Sequence, residues 1–210
     1  MKPSEKQTLA TNYVSESTVL QEHKNGVVTL TLNRPKQYNA LSEVMLDKLQ
    51  DHLDAIAEND AYRIVILQGA GKVFCAGHDL KEMIVNRKET YYQTLFKKCS
   101  KMMMTLNQMP QPVIARIHGI ATAAGCQLVA ACDLAVAADD ARFATSGINV
   151  GLFCSTPSVP VSRNIPRKQA MELLLTGESV SYTHLRAHET PEHLVCPMRR
   201  EKKTRGGGGG

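Results

Sequence analysis

A chain of 210 residues, 43% hydrophobic and 21% charged, has the length and composition of one folded domain, which excludes a disordered segment. Its net charge of +5 makes no case for nucleic acid: residues 182–210 hold six Lys/Arg and three Asp/Glu, supplying +3, and the remainder is nearly balanced. Six cysteines without a Cys-x-x-Cys pair read as buried reduced thiols of an intracellular protein, and no apolar run reaches the ~18 residues of a membrane span.

Residues 1–16 form a polar extension that mixes Lys2 and Lys6 with Glu5 and Glu16 and lacks Arg, which fits neither a signal peptide nor a mitochondrial presequence. Strands are predicted over 18–23 and 27–32, joined by Asn25-Gly26, the strongest short-range hairpin signal. Ser42 caps a predicted helix with the apolar stripe Leu46, Leu49, Leu53 and Ile56. A strand at 63–67 leads into the turn Gly69-Ala-Gly-Lys72. Asp79 has Glu82 three residues on, the spacing of a capping box, so the next helix is predicted from Leu80.

Residues 89–109 read as a long helix with Tyr92, Leu95, Phe96, Cys99, Met102, Met103 and Leu106 on one side, stopped by Pro110 and Pro112. The methionines there read as core filler, since Met packs irregular gaps. A strand at 113–117 precedes an apolar helical segment at 128–132. Two short strands, 134–137 and 141–144, are joined by Asp139-Asp140, and a helix at 167–175 ends at Gly177. The repeating strand-strand-helix order predicts an α/β spiral over a core at 17–181.

Past Ser181 the periodicity is lost. Residues 182–196 resemble translated adapter sequence and 206–210 are pure glycine, so 182–210 reads as a non-native, disordered tail. His184, His188 and His193 sit in that stretch without a core to hold them, and no metal site is expected.

Two stretches carry the chemistry. His118-Gly-Ile-Ala-Thr-Ala-Ala-Gly-Cys-Gln127 follows a strand and opens a buried helix; Gly71-Lys-Val-Phe-Cys-Ala-Gly-His-Asp-Leu80 does the same. Strand-turn-helix junctions with small residues let a ligand approach unpaired backbone N–H groups at a helix start. The bland reading of either junction alone is a close-packed turn. Two of them together supply what an oxyanion hole for a thioester carbonyl requires.

At this separation the two stretches resemble the signature halves of the crotonase (enoyl-CoA hydratase/isomerase) superfamily, and Asn33-Arg-Pro35, Asn39-Ala-Leu41 and Leu174-Leu-Thr-Gly177 fall where that family has its other words. The resemblance covers roughly residues 17–181. It implies the ClpP/crotonase-like spiral of β-β-α units, here without the C-terminal helices that close the site and build a homotrimer or dimer of trimers. It implies no permanent cofactor and an acyl-CoA thioester as substrate or ligand in fatty-acid metabolism. The location it implies is the mitochondrial matrix for a eukaryotic chain, or otherwise the bacterial cytoplasm. Carried over residue by residue, the oxyanion donors are the backbone N–H groups of His78 and Ala124. Tyr38, Ala40, Ala76, Asp79, Leu80 and Lys81 join them in contacting CoA.

The acid/base equipment departs from the family pattern. Hydratases of the family carry two glutamates, and those positions here are Gln127 and Gly147. A carboxamide orients water but has no proton to trade near neutral pH, and glycine offers nothing. The neighbours Thr145, Ser146, Asn149, Cys154 and Ser155 include no carboxylate, and Asp133 and Asp139 fall in segments that the family uses structurally. Three readings follow: a crotonase-type decarboxylase or thioesterase, a non-catalytic acyl-CoA binder or regulator, and a hydratase, against which the missing glutamates argue.

Overall fold

The computed structural model describes residues 17–185. Strands β1 (Val19–Lys24) and β2 (Val27–Leu32) form the expected hairpin, with Asn25 and Gly26 both at positive φ, +53° and +79°. That backbone twist matches the strands it joins, and Asn-Gly is the pair that adopts it at least cost. After a single 3-10 turn at Pro35–Gln37, helix α1 (Glu43–Ala57) starts at Ser42, whose hydroxyl accepts from the Met45 N–H at 3.2 Å. The predicted stripe of α1 is buried in full.

The chain continues through β3 (Ile64–Gly69), α2 (Leu80–Val85), α3 (Glu89–Gln108), β4 (Val113–Ile117), β5 (Ile120–Thr122), α4 (Ala124–Ala131), β6 (Leu134–Ala137) and β7 (Arg142–Ala144). A 3-10 turn at Ser146–Val150 leads to α5 (Ser155–Asn164), α6 (Arg167–Thr176), β8 (Val180–Ser181) and α7 (Tyr182–Leu185). Five strands, in the order β1-β2-β3-β4-β6, make the larger sheet, parallel from β2 onward. Alternate residues Val28, Leu30, Leu32, Val65, Leu67, Val113, Ala115 and Ile117 point into the core. There they meet the buried faces of α1 and α3, which pack on each other.

A second rank of pairings stacks beside the first: Leu41 bridges His78, Cys75 bridges Ala121, β5 pairs β7, and β7 pairs β8. Successive turns of the chain thus place one strand in the large sheet and the next in this second rank, then return through a helix. That is the predicted α/β spiral.

The structure adds to or corrects the local reading at four points. The strands at 134–137 and 142–144 belong to different sheets, β6 beside β4 and β7 beside β5, so Asp139-Asp140 is a crossover between layers. The turn after β4 contains an additional strand, β5, and α4 begins at Ala124, four residues before the apolar run. Helix α5 was hidden by Pro157 and Pro160: the first lies in the opening turn, where no N–H is needed, and the second is carried in the interior. Glu82 does not close the capping box. Its carboxylate accepts instead from the Glu43 N–H at 3.0 Å, tying α2 to the start of α1.

The described structure runs on past 181 through the one-turn helix α7, whose Tyr182 packs half-buried against the core. His188, His193 and the glycine run lie outside the described residues, as does the polar extension 1–16. Among the described residues no helix is long and apolar enough to cross a membrane.

Candidate active site

The segment 75–79 runs between two neighbours and is bonded to both. On one side Ala76 N–H donates to Tyr38 O at 3.0 Å, Leu41 N–H to Gly77 O at 2.7 Å, and Asp79 N–H to Leu41 O at 3.3 Å. On the other, Cys75 N–H donates to Ile120 O at 3.1 Å, and Thr122 N–H donates back to Cys75 O at 3.0 Å. Both junctions singled out in the sequence are therefore fastened to each other. Gly77, at φ +89°, is where they touch: a Cβ there would lie 3.0 Å from Ala123 Cβ and 3.1 Å from Ala124 N.

The loop before α1 is held by Asn39, fully buried and at φ +53°. Its Nδ2 donates to Ala70 O at 2.9 Å and Val73 O at 2.7 Å, and its Oδ1 accepts from Arg34 N–H at 2.9 Å. The Arg34 guanidinium donates to Ala40 O and pairs with Asp79 Oδ2, each at 3.0 Å. The other Asp79 oxygen caps α2 by accepting from the Lys81 and Glu82 N–H groups. Asp79 thus locks the 34–40 loop onto the start of α2. Neither Arg34 nor Asn39 stood among the predicted site residues, although the words at 33–35 and 39–41 had marked their positions. Asn39→Ala is expected to lower unfolding stability by about 2–3 kcal/mol in a denaturant titration, because it leaves two buried carbonyls and one N–H unpaired and places alanine at positive φ.

Tyr38, Leu80 and Lys81 are exposed at the rim, while Ala40 is buried and Ala76 half-buried. Ala123 adopts φ +50°, ψ −120°, a region that L-residues rarely enter and that costs of order 1–3 kcal/mol. Its N–H donates to Ala144 O at 2.9 Å and its carbonyl accepts from Gln127 N–H at 3.1 Å, so the β7 edge holds the strained residue in place. Ala124 then opens α4. Among the described residues, the backbone N–H groups of His78 and Ala124 have no hydrogen-bond partner. The His78 ring is largely buried against Phe96, centroids 5.3 Å apart, and burial pushes its pKa below the usual imidazole value, the Leu41 backbone opposing this to a lesser extent.

Gln127 is 6% exposed, and its Oε1 has no partner among the described residues. Gly147 lies in the 3-10 turn with an ordinary φ, but a Cβ there would stand 2.5 Å from Leu152 O and 2.7 Å from Cys154 Sγ. The polar neighbours are committed elsewhere: Thr145 Oγ1 donates to Leu173 O, Ser146 shares a hydrogen bond with Thr122, and Asn149 bonds Gly177 O. Asp133 accepts from the Val113 N–H, a structural role, and Asp139 is exposed. Burial pushes the Cys75, Cys99, Cys126 and Cys132 thiols up to about 12, which makes them inert at neutral pH. A cavity of about 530 Å³ lies elsewhere, between α4, β6 and α5, and none of the predicted site residues lines it.

The model of the family described as enoyl-CoA hydratase/isomerase matches residues 22–195. The chain belongs to the enoyl-CoA hydratase/isomerase family. Human mitochondrial enoyl-CoA hydratase domain-containing protein 3 is 47% identical over 180 residues, which are 86% of this chain and 59% of that protein. Its Xenopus laevis counterpart is 49% identical over 164 residues, 78% of this chain and 55% of that one. The crystal structure of an enoyl-CoA hydratase from Mycobacterium smegmatis is 59% identical, with a TM-score of 0.78 over 80% of this chain and 66% of that one. The crystal structure of the human domain-containing protein 3 gives 45% and 0.77 over the same shares. The sequence words at 77–80, 121–130 and 149–157 resemble this branch of the family. The chain spans between about half and two thirds of the length of these relatives.

Proposed function

We propose that the chain binds an acyl-CoA thioester whose carbonyl oxygen is held by the backbone N–H groups of His78 and Ala124. The observation that carries this reading is that both N–H groups are unpaired while Gly77 seats one turn against the other at Ala124. Donors fixed in advance need no reorganisation when charge develops on the oxygen, and each is commonly worth ~3 kcal/mol in a transition state. The strained backbone at Ala123, over-determined by β7, is what presents the second donor. Tyr38, Ala40, Ala76, Asp79, Leu80 and Lys81 border the CoA moiety.

The reaction this site supports is not hydration. Gln127 has no proton to trade, and the space a side chain at 147 would fill is taken by the Leu152 carbonyl and Cys154. An enzyme relying on the oxyanion hole, a decarboxylase or a thioesterase, fits this set. A non-catalytic acyl-CoA binder is the second reading, favoured by the same closed space, and turnover of a panel of acyl-CoA esters separates the two. The mitochondrial names of the vertebrate relatives support a mitochondrial matrix location if the chain is eukaryotic, and the mycobacterial relative a bacterial cytoplasm if it is not.

The test is at Ala124, 3% exposed. Ala124→Leu is expected to weaken binding of butyryl-CoA at least about a hundredfold in calorimetric titration, because its side chain fills the space above the N–H, while Ala124→Gly is expected to bind within a few-fold of the parent. Unchanged affinity in Ala124→Leu would mean that the turn is merely structural.

A further inference from the structure

Strand β6 is the outer strand of the larger sheet, and among the described residues nothing pairs with its free side. Its residues, Leu134-Ala-Val-Ala137, are all apolar, and Leu134 and Val136 are 52% and 61% exposed. The opposite edge of the same sheet, β1, carries Glu22, His23 and Lys24, and charges of this kind keep an edge from recruiting another strand. β6 has no such guard. It borders the cavity of about 530 Å³, whose other walls include Val129 of α4, Val161 of α5 and Leu173 of α6. An unpaired edge beside apolar walls is where an added strand satisfies its backbone and buries its side chains together.

We infer that residues 192–196 of this chain add to β6 as a parallel strand and cover that cavity. The described chain ends at Leu185, three residues past Tyr182, which lines the same cavity. Nine further residues lead to Leu194, a reach of up to ~30 Å, against ~13 Å for the length of four-residue β6. In residues 186–210 the one run of three apolar side chains is Leu194-Val-Cys196, and it is delimited by Pro191 and Pro197, which have no N–H to give a ladder. Charge sets the direction. The run is followed by Arg199, Arg200, Lys202 and Lys203, while Glu189 and Glu192 precede it. Parallel pairing, the orientation β2, β3, β4 and β6 already share, carries the basic residues past the carboxyl end of β6 to the exposed Asp139 and Asp140. Antiparallel pairing would bring the two glutamates there instead. The inference is independent of the acyl-CoA reading, whose residues do not line this cavity.

The experiment is hydrogen–deuterium exchange of the 210-residue chain, read by mass spectrometry on peptides covering β6 and β1 at two protein concentrations tenfold apart. In the parent, the β6 amides that β4 does not use are expected to be protected equally at both concentrations. Leu194→Asp/Val195→Asp is expected to speed their exchange at least about tenfold and to leave β1 unchanged, and Arg199→Glu/Arg200→Glu to speed it by a smaller factor. A melting curve for each variant establishes folding, and Leu194→Ser/Val195→Ser carries the same expectation as the aspartate pair should that pair not fold. Exchange of those parent amides at open-chain rates, or protection that survives the tail substitutions, overturns the inference. Protection that appears only at the higher concentration assigns the edge to a second copy of the chain and overturns it as well.

Discussion

Gly125→Ala is expected to destabilise the fold by about 4 kcal/mol and to remove acyl-CoA binding with it. The sign is the opposite of what the residue's place in a helix implies. In an open helix interior, alanine is favoured over glycine by about 1 kcal/mol. Here a Cβ would run into the Cys75 carbonyl, with the carbonyl carbon at 2.8 Å and Cys75 Cβ at 2.9 Å. Cys75 cannot step aside, because its N–H and C=O are both bonded to β5. Backbone meeting backbone has no rotamer to relax through, so overpacking reaches the upper end of its usual range and beyond. Moving α4 back would also draw Ala124 away from Gly77 and separate the two unpaired N–H groups. Circular dichroism melts and an acyl-CoA titration of the same variant read both effects, and a variant as stable as the parent would show that the two junctions are not in the contact described.

Crotonyl-CoA is expected to show no loss of its conjugated absorbance with this chain beyond the uncatalysed rate. Gln127→Glu is the change that should reveal hydration. The residue is buried and its Oε1 unpaired, so a carboxyl there is desolvated, its pKa is raised, and it holds a proton nearer neutral pH, as a general acid or base requires. Such groups contribute ~10²–10⁴-fold, and a gain of that order over the parent is the expected result. Placing glutamate at 147 as well is the obvious completion of the pair, but the structure argues against it. The obstacle is space, not φ: the Leu152 carbonyl and Cys154 occupy the position of the Cβ. The double variant Gln127→Glu/Gly147→Glu is therefore expected to be less stable than Gln127→Glu alone and no faster. A double variant that is both folded and much faster would show that the 147–154 loop gives way easily, and hydration by the parent chain would overturn the proposed reaction class.

What the sequence by itself determined were the features whose causes lie within a turn or two of chain. Asn25-Gly26 made the hairpin, Ser42 and Asp79 made the starts of α1 and α2, and the spacing of Leu46, Leu49, Leu53 and Ile56 chose the buried face of α1. The family words fixed the fold class, and the residues at 127 and 147 needed no structure to be recognised as lacking carboxylates. Tertiary structure decided what depends on partners far along the chain. β5 is three residues long, too short for a period of two to register, and exists because Ala121 finds Cys75 and β7. β6 and β7 look alike in sequence, yet the layers they join are chosen by β4 and β5, whose edges lie elsewhere in the chain. α5 persists despite Pro160, supported by packing against α4 that no local propensity encodes. Asn39 became the centre of its loop because carbonyls at 70 and 73 converge on it. The closed space at Gly147 and the burial of the His78 ring against Phe96 are likewise set by what surrounds them. Caps and stripes are written in the chain's own short-range geometry, whereas close approaches and unpaired polar atoms are properties of a packed neighbourhood, which only the fold assembles.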